Sequence, residues 1–151
     1  MSLKQSTIEE ELAAHGVHYA TTEGDSMEPL FHTHQSVVCF RPYTGRLKRL
    51  DVPLVRREDG HCVLHRIVKV RKDGYITRGD NRRGDDPFVP EQEVIAVMDG
   101  YYVGEKYVPT TAFRYRAYVF FWGRPNLIKS CYLLFQSAVR HLAKRPRKQK
   151  K

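Results

Sequence analysis

Residues 61–78 read HCVLHRIVKVRKDGYITR and carry the strongest fold signal in the chain. Apolar and β-branched residues dominate positions 62–70, and the Asp73-Gly74 pair that follows is typical of a tight turn between antiparallel strands. Residues 75–78 are again extended in character. The stretch therefore predicts two antiparallel strands joined by a short turn.

Three further segments share this strand character: residues 36–40, 52–57 and 91–102. The turn signal Asp59-Gly60 connects the second of them to residues 62–70, which predicts a three-strand meander. Residues 81–93 are polar, charged and proline-bearing, and we expect them to form a loop. The chain is therefore expected to have a mainly β fold.

A short helix is predicted before the strands. Ser6 and Glu9 have the spacing of a capping box, in which a hydroxyl and a carboxylate satisfy N–H groups at the start of a helix. The helix is expected to run to Ala14 and to end at Gly16, because glycine readily adopts the left-handed conformation that terminates helices.

A second set of residues could carry out nucleophilic chemistry. Its members are Ser26 in the segment GDSMEP, His65 in the strand stretch, and Asp80, Asp85 and Asp86 in the following loop. A serine hydroxyl is a poor nucleophile unless a base takes its proton, and a histidine base works best beside a carboxylate that orients it. Each motif alone also fits a turn or a packed core residue. Their joint occurrence in one order favours a catalytic site.

Three motifs resemble the conserved boxes of type I signal peptidases, within the serine peptidase group that also includes LexA-type self-cleaving repressors. They are Gly24-x-Ser26-Met27-x-Pro29, Leu64-His65-Arg66 and Gly79-Asp80-Asn81-x-x-x-Asp85-Asp86. The resemblance covers residues 19–104. Histidine followed by arginine resembles the endoplasmic-reticulum and archaeal type, whereas bacterial leader peptidases and LexA-like proteins have a lysine at this position.

This resemblance implies a signal peptidase/LexA-like β domain and a serine endopeptidase that cleaves after small side chains through an acyl-enzyme. Ser26 would be the nucleophile, His65 the general base and Asp86 the carboxylate that orients it. The supporting residues would be Met27, Pro29, Arg66, Asp80 and Asp85. Either of these two aspartates is an alternative partner for His65.

Three features depart from the family pattern. Gly24 stands where many signal peptidases have a hydroxyl, so oxyanion stabilisation would rest on backbone N–H groups such as that of Ser26. Leu50 stands where the family usually has glycine, which we interpret as a difference in a turn. Residues 1–23 contain neither the ~20 apolar residues of a membrane span nor the apolar core of a signal peptide.

The strand period makes a specific prediction for the base. Alternation along residues 62–70 would place Val63, His65 and Ile67 on one face and Arg66 on the other. A partly apolar setting lowers the proton affinity of a histidine, whereas a nearby carboxylate raises it. Arg66 is expected to pair with an acid or a carbonyl rather than with substrate.

The formal charge of +9 is concentrated at the C-terminus. Seven basic residues and no acid follow position 139, whereas the rest of the chain is nearly balanced. Nucleic acid is therefore not the expected partner. A terminal basic run is typical of a solvated tail, or of a segment that contacts an anionic membrane surface.

Cysteines and the remaining histidines give no sign of a metal or cofactor site. Cys39, Cys62 and Cys131 are widely spaced, and each is expected to be a small buried hydrophobic residue. The group His32, His34 and His61 lacks recognised metal-ligand spacing. We therefore expect no cofactor and no metal. The resemblance to signal peptidases implies a peptide or precursor protein as the substrate.

The C-terminal third has a different pattern. Apolar residues recur at helical spacing over residues 127–142, which predicts an amphipathic helix. Residues 115–122 are aromatic and apolar, but Arg116 interrupts any continuous membrane span. The helix could pack on the β domain, or it could lie in a membrane interface so that residues 127–151 contact anionic lipid.

These patterns divide the chain into four parts: an N-terminal helix (1–18), a β catalytic domain (19–108), a helical appendage (109–143) and a basic tail (144–151). The expected location is the membrane periphery or the cytoplasm. A different class of function stays open. The chain could be a catalytically silent or self-cleaving LexA-like regulator, or a module that binds a peptide as an added edge strand.

Overall fold

The computed structural model describes residues 7–122, and this part of the protein is mainly β, as predicted. In chain order the elements are α1 (Ile8–His15), β1 (His18–Thr21), β2 (Val37–Arg41), β3 (Pro53–Arg56), β4 (Cys62–Leu64), β5 (Arg66–Arg71), β6 (Gly74–Arg78), β7 (Phe88–Pro90), a 3-10 turn (Glu91–Glu93), β8 (Val94–Val103), β9 (Lys106–Pro109) and α2 (Phe113–Phe121). The predictions for residues 127–142, for Cys131 and for the basic tail lie outside the described residues.

The first helix begins one residue later than the sequence predicted. Thr7, rather than Ser6, is the N-cap: its hydroxyl accepts a hydrogen bond from the Glu10 N–H, and its own N–H donates to the Glu10 carboxylate. Two successive hydroxyl residues each have a glutamate three positions later, so the spacing alone did not separate the two registers. Gly16 ends the helix at φ 68°, as predicted.

Six strands form a curled antiparallel sheet in the order β1-β2-β8-β3-β4, with β9 paired to β8. The long strand β8 is central: its first half pairs with β3 and its second half with β2 and β9. The register shifts within β2 and within β3, and such bulges increase the local twist of a sheet. β1 and β4 are left as the two ends of the strand order, each paired on one side.

A second sheet contains β5, β6 and β7, with β6 in the centre. Residues 81–93 do not form the continuous loop that their composition predicted. They contain β7, which pairs with β6 through Val89 opposite Tyr75, and Val89 is fully buried. The short strand β7 was not predicted because the segment is mainly polar. Only one of its side chains, that of Val89, is buried.

The predicted three-strand meander is wrong at its centre. Residues 62–70 do not form one strand, because the chain divides at His65, with β4 in the larger sheet and β5 in the smaller one. A strand with one buried face cannot bury two successive side chains, yet Arg66 and Ile67 are both fully buried. The chain therefore changes sheet at His65, and the face assignment from a period of two does not extend through this residue.

Buried side chains form two clusters in the described part of the chain. The larger cluster combines residues of α1, α2 and the larger sheet, among them Leu12, Phe40 and Tyr115. The smaller cluster includes Ile67 and Tyr75 of the second sheet. Because the base-bearing segment passes from one sheet to the other, the candidate site lies where both sheets contribute residues.

The two cysteines in the described part of the chain differ in burial. Cys39 lies on β2 and is buried, as predicted, whereas Cys62 is exposed, which corrects the prediction made for it. Cys62 begins β4, an end strand of the larger sheet, and within residues 7–122 no neighbouring strand covers its outer edge. Neither cysteine forms a disulfide.

The second helix packs against the β core through one side. Tyr115 is buried in the larger cluster, and its ring lies 6.3 Å from that of Tyr101 on β8. Within residues 7–122, neither helix has the length and apolar character that a membrane crossing requires. The aromatic stretch predicted around residues 115–122 is therefore partly a core element.

Candidate active site

His65 and Asp86 are in direct contact. Nδ1 of His65 lies 2.6 Å from Oδ2 of Asp86, and their side chains are only 14 % and 18 % exposed. Since an ionised carboxylate can only accept hydrogen bonds, Nδ1 donates to Asp86, and the second ring nitrogen, Nε2, is not used by this contact. This is the arrangement that a histidine general base needs.

Asp86 is held in place by β6. Its N–H donates to the carbonyl of Thr77 at 2.8 Å, and the Thr77 hydroxyl donates to Asp86 Oδ2 at 2.7 Å. Burial by itself would raise the pKa of Asp86, but the hydrogen bonds from His65 and Thr77 outweigh it, so the pKa lies below its ordinary value. The carboxylate is therefore charged at neutral pH and fixed in orientation.

Ser26 lies in the turn region between β1 and β2 and is half-buried. Met27 next to it is 4 % exposed and anchors the segment in the larger core cluster, whereas Pro29 is exposed. Gly24 has φ 80°, a conformation in which a side chain would be strained, and its carbonyl accepts a hydrogen bond from Thr33. A hydroxyl-bearing residue at position 24 would therefore strain this backbone.

The turn after β6 fixes the main chain around Ser26. The N–H of Asn81 donates to the carbonyl oxygen of Ser26 at 2.8 Å, and its side-chain amide donates to the carbonyl of Asp25 at 3.0 Å. Arg82 adds an ion pair to the Asp25 carboxylate at 2.6 Å. Two motifs that are more than fifty residues apart in sequence are thus joined through hydrogen bonds to the main chain.

Gly79 lies between the Ser26 segment and the imidazole ring of His65. A methyl group added to Gly79 would lie 2.6 Å from the Ser26 carbonyl oxygen and 3.1 Å from Nε2 of His65. Both atoms therefore face the same glycine, and a larger residue would force them apart. Nε2 of His65 is therefore close to the same glycine that contacts the main chain of Ser26.

Arg66 and Asp80 form a buried two-point ion pair next to this site. Nε and Nη2 of Arg66 lie 2.8 Å and 2.5 Å from the two carboxylate oxygens, and the side chains are 1 % and 2 % exposed. Nη1 donates to the Leu50 carbonyl and to the Tyr115 hydroxyl. Burial lowers the pKa of Arg66, but Asp80 more than compensates, so the guanidinium keeps its charge. The partners are an acid and a carbonyl, as the sequence predicted.

Asp80 has structural contacts on three sides. The hydroxyl of Tyr118 in α2 donates to its Oδ2 at 2.9 Å, and its N–H lies 3.5 Å from the sulfur of Met27. With Arg66, these contacts join α2, β5 and the Ser26 turn. Asp80 therefore supports the site, while the carboxylate that contacts His65 belongs to Asp86.

Asp85 has different partners from its neighbour Asp86. Its carboxylate binds Arg78 at 2.8 Å and Lys69 at 3.4 Å, and it lies on the protein surface. Arg78 holds the pKa of Asp85 below its ordinary value. The structure therefore gives this residue a surface ion pair rather than a contact with the imidazole.

A cleft of about 420 Å³ contains both Ser26 and His65. The two end strands of the larger sheet line it, through His18, Ala20 and Thr21 of β1 and through Cys62, Val63 and Leu64 of β4. Apolar residues such as Phe40 and Leu54 complete its lining. An extended peptide in this cleft could therefore reach the backbone of a strand edge and the serine segment together.

Sequence reasoning did not identify four residues that shape this site: Thr77, Gly79, Asn81 and Tyr118. Gly79 and Asn81 lie inside a motif, but their roles depend on how closely the Ser26 turn approaches. Thr77 and Tyr118 carry no local sequence signal, because their partners lie nine and 38 residues away. Only the three-dimensional arrangement brings them to the site.

Histidines outside the site do not assemble a metal centre in the described part of the chain. Within residues 7–122, no group of three or more His, Cys, Asp or Glu side chains could hold a metal ion. His32 instead lies 3.5 Å from the Glu28 carboxylate.

Comparisons with known proteins do not assign this chain to a family. No model of a known family matches it, and no curated protein matches it. Support for a function is therefore structural: the contacts of Ser26, His65 and Asp86 and the cleft that contains the first two.

Proposed function

We propose that the protein is a serine endopeptidase with a signal-peptidase type fold, in which Ser26 is the nucleophile, His65 the general base and Asp86 the orienting carboxylate. The observation that carries this proposal is the His65–Asp86 contact, together with the position of Nε2 and the Ser26 main chain on either side of Gly79 in one cleft. The low pKa of Asp86 supports it, because a charged carboxylate stabilises the imidazolium that forms during proton transfer.

The reaction proceeds in two steps. Nε2 of His65 takes the proton of the Ser26 hydroxyl while its oxygen attacks the carbonyl carbon of the scissile bond. The imidazolium then donates that proton to the leaving amine, and an acyl-enzyme remains on Ser26. Water, deprotonated by the same base, hydrolyses the ester. Backbone N–H groups near Ser26 stabilise the oxyanion in both steps, since Gly24 offers no hydroxyl.

The substrate is a peptide segment in an extended conformation, such as a leader or another part of a precursor protein. The cleft between β1 and β4 supports this choice, because both strands have an edge without a strand partner in the described part of the chain. Strand addition supplies main-chain hydrogen bonds, and side-chain pockets supply selectivity. The preference for small residues before the cleaved bond comes from the family resemblance.

A peptide-binding module without catalysis is the second candidate. The same open edges of β1 and β4 favour it, since they could bind an extended peptide whether or not Ser26 reacts. A silent regulator would retain the cleft and the Arg66–Asp80 pair, which stabilise the structure. It would not need His65 held against a charged Asp86, so this contact favours the peptidase.

A peptide library tests the two candidates together. Internally quenched peptides with varied small residues are incubated with the full chain, and products are identified by mass spectrometry. We expect cleavage that falls by about 10³-fold or more in Ser26→Ala and in His65→Gln. The matched control is Thr44→Ala, which removes an exposed hydroxyl from a residue that does not line the cleft.

Binding of the same peptides separates the outcomes. Fluorescence anisotropy with Ser26→Ala should still report binding, because the cleft is unchanged. Peptides that bind but are not cut by the unmodified protein would support the binding module and reject the peptidase. Cleavage that persists in Ser26→Ala would show that another residue is the nucleophile.

A further inference from the structure

The cleft between β1 and β4 continues well beyond the candidate catalytic residues. β1 leads from His18 towards Ser26, and β4 leads from Cys62 to His65, so both strands run towards the site. All four residues line the same cleft. At about 3.3 Å per strand residue, Cys62 lies ~10 Å from His65 along the chain. His18 and Cys62 therefore mark the end of the cleft remote from the site, which we call the far end.

A second histidine–carboxylate pair lies at the far end. Nδ1 of His18 lies 2.6 Å from Oε2 of Glu11 on α1, and the His18 side chain is only 13 % exposed. Its ring also stacks on that of Phe40, with 6.2 Å between the centroids and 30° between the planes. A hydrogen bond and an aromatic neighbour therefore hold the imidazole in one orientation before any peptide binds.

The contact with Glu11 uses one nitrogen of the His18 ring. Since a carboxylate can only accept, Nδ1 donates to it, and any further hydrogen bond of the ring involves Nε2. Within residues 7–122, the bond to Glu11 is the only hydrogen bond that the His18 side chain makes. A polar atom on the wall of a mainly apolar cleft can fix the orientation of a bound ligand.

The rest of the cleft wall is rich in apolar side chains. They belong to Ile8, Ala20, Phe40, Leu54 and Leu64. Ala20 lies two positions after His18 on the same face of β1, and it contributes only a methyl group. A substrate with only small side chains would leave much of this lining without contacts. The far end therefore suits a large, mainly apolar side chain.

Tyrosine combines a large apolar ring with a group that can bind the imidazole. Its hydroxyl both donates and accepts, so it can bond to Nε2 of His18 in either protonation state of the ring. A carboxylate could bond only to the charged ring and would lie near the carboxylate of Glu11. An ammonium could bond only to the neutral ring. Phenylalanine would fill the same space without the hydrogen bond.

We propose that His18 selects a tyrosine at the third residue from the cleaved bond, on the side of the substrate held between β1 and β4. This inference rests on the proposed binding of an extended peptide in the cleft. In such a peptide the first and third residues face the same way and are about 7 Å apart. A small residue beside Ser26 and a tyrosine beside His18 therefore occupy different parts of one cleft.

Peptide binding to the full chain with Ser26→Ala tests the proposal without cleavage. Fluorescein-labelled peptides of alanine and serine carry a single tyrosine, which is moved one position at a time, and fluorescence anisotropy gives each Kd. We expect one position of the tyrosine to bind most tightly. Replacing that tyrosine with phenylalanine should weaken binding by about tenfold, because one hydrogen bond is lost. Equal binding of the tyrosine, phenylalanine and alanine peptides would overturn the proposal.

Substitution of His18 assigns the preference to one side chain. His18→Phe removes Nε2 but keeps an aromatic ring beside Phe40, so the tyrosine and phenylalanine peptides should then bind equally. The matched control is His32→Phe, since His32 also lies beside a glutamate, 3.5 Å from Glu28, but does not line the cleft. This control should keep the tyrosine preference. A tyrosine preference that persists in His18→Phe would overturn the proposal.

Ala20→Leu provides a second variant that leaves the His18–Glu11 contact in place. The larger side chain fills the space beside His18, so we expect weaker binding of the tyrosine peptide and unchanged binding of the peptide of small residues alone. Equal effects on both peptides would place the tyrosine elsewhere and overturn the proposal.

Cleavage by the unmodified protein separates this proposal from the peptidase itself. Mass spectrometry of the cleaved peptides should show tyrosine enriched at the third residue from the bond. Tyrosine-selective binding that depends on His18, without any cleavage, would reject the peptidase and support the same subsite in a peptide-binding module. Cleavage without tyrosine enrichment at that position would overturn the role of His18 and leave the peptidase in place.

Discussion

The hydroxyl of Tyr118 donates a 2.9 Å hydrogen bond to Asp80, a residue 38 positions earlier in the chain. Asp80 is also the buried partner of Arg66, which follows His65 directly. A helix near the end of the described chain is therefore tied to the segment that carries the candidate base. We expect this link to stabilise the fold, because both members of the ion pair are buried.

Tyr118→Phe should lower the free energy of unfolding by about 1–2 kcal/mol, because a hydrogen bond to a buried charged group is lost. Urea denaturation measures this change. Tyr43→Phe is the matched control, since its hydroxyl lies 3.5 Å from the Glu91 carbonyl and contributes little. Equal stability of Tyr118→Phe and the unmodified protein would mean that Asp80 is satisfied by Arg66 alone.

Substitution of two neighbouring aspartates tests which carboxylate orients His65. Asp86→Asn should reduce turnover of any cleaved peptide by roughly 10²-fold or more, because the amide cannot stabilise the imidazolium. Asp85→Asn should retain nearly full turnover, since its carboxylate contacts Arg78 and Lys69 at the surface. Steady-state kinetics compares the two. Loss of turnover in Asp85→Asn with normal turnover in Asp86→Asn would reverse the assignment.

Acid should destabilise the protein through the same pair of residues. The pKa values of Asp85 and Asp86 are both lowered in the folded state, so their contribution is complete above the unfolded pKa of about 4 and is lost as pH falls through the folded values. Urea midpoints between pH 7 and pH 2 should therefore decline most steeply below about pH 4.

A double variant tests this explanation of the acid sensitivity. Asp85→Asn/Asp86→Asn should have a flatter pH dependence than the unmodified protein, because two titrating groups are removed. Glu58→Gln replaces an exposed acid and should leave the steep decline in place. An unchanged decline in the double variant would assign the acid sensitivity to other carboxylates, such as Glu9 beside Arg56.

The sequence predicted the mainly β class and the end of the first helix at Gly16, because both features depend on residues that are close together in the sequence. It did not predict the break at His65, because that break depends on Arg66 finding Asp80 and Tyr115, the latter 49 residues away. It placed residues 109–143 in a helical appendage but did not predict the bounds of α2, because both faces of this helix are aromatic and give no clear polar alternation.

The candidate site was also predicted only in part. Its residue types could be listed from short motifs, and their catalytic roles remain a prediction. The choice among the three aspartates could not be made from spacing, because Asp85 and Asp86 are adjacent in the sequence. Asp85 nevertheless forms a surface ion pair with Arg78, whereas Asp86 contacts the imidazole of His65. Thr77, which fixes Asp86, lies in a strand with no motif.

Leu50 provides the last prediction, because it has φ 81°, in the left-handed region that favours glycine. Its N–H donates to the Ile67 carbonyl and its own carbonyl accepts from Arg66, so these contacts hold the backbone in this conformation. Both Leu50→Gly and Leu50→Ala lose the leucine side chain, but only alanine keeps a Cβ. In urea denaturation the free energy of unfolding of Leu50→Gly should therefore be about 1 kcal/mol higher than that of Leu50→Ala. At Val70, which pairs regularly with Tyr75 in strand β5, the order of the same two substitutions should reverse, because glycine is the poorer strand residue. Finding alanine as stable as glycine at position 50 would show that the backbone relaxes out of this conformation when the side chain is removed.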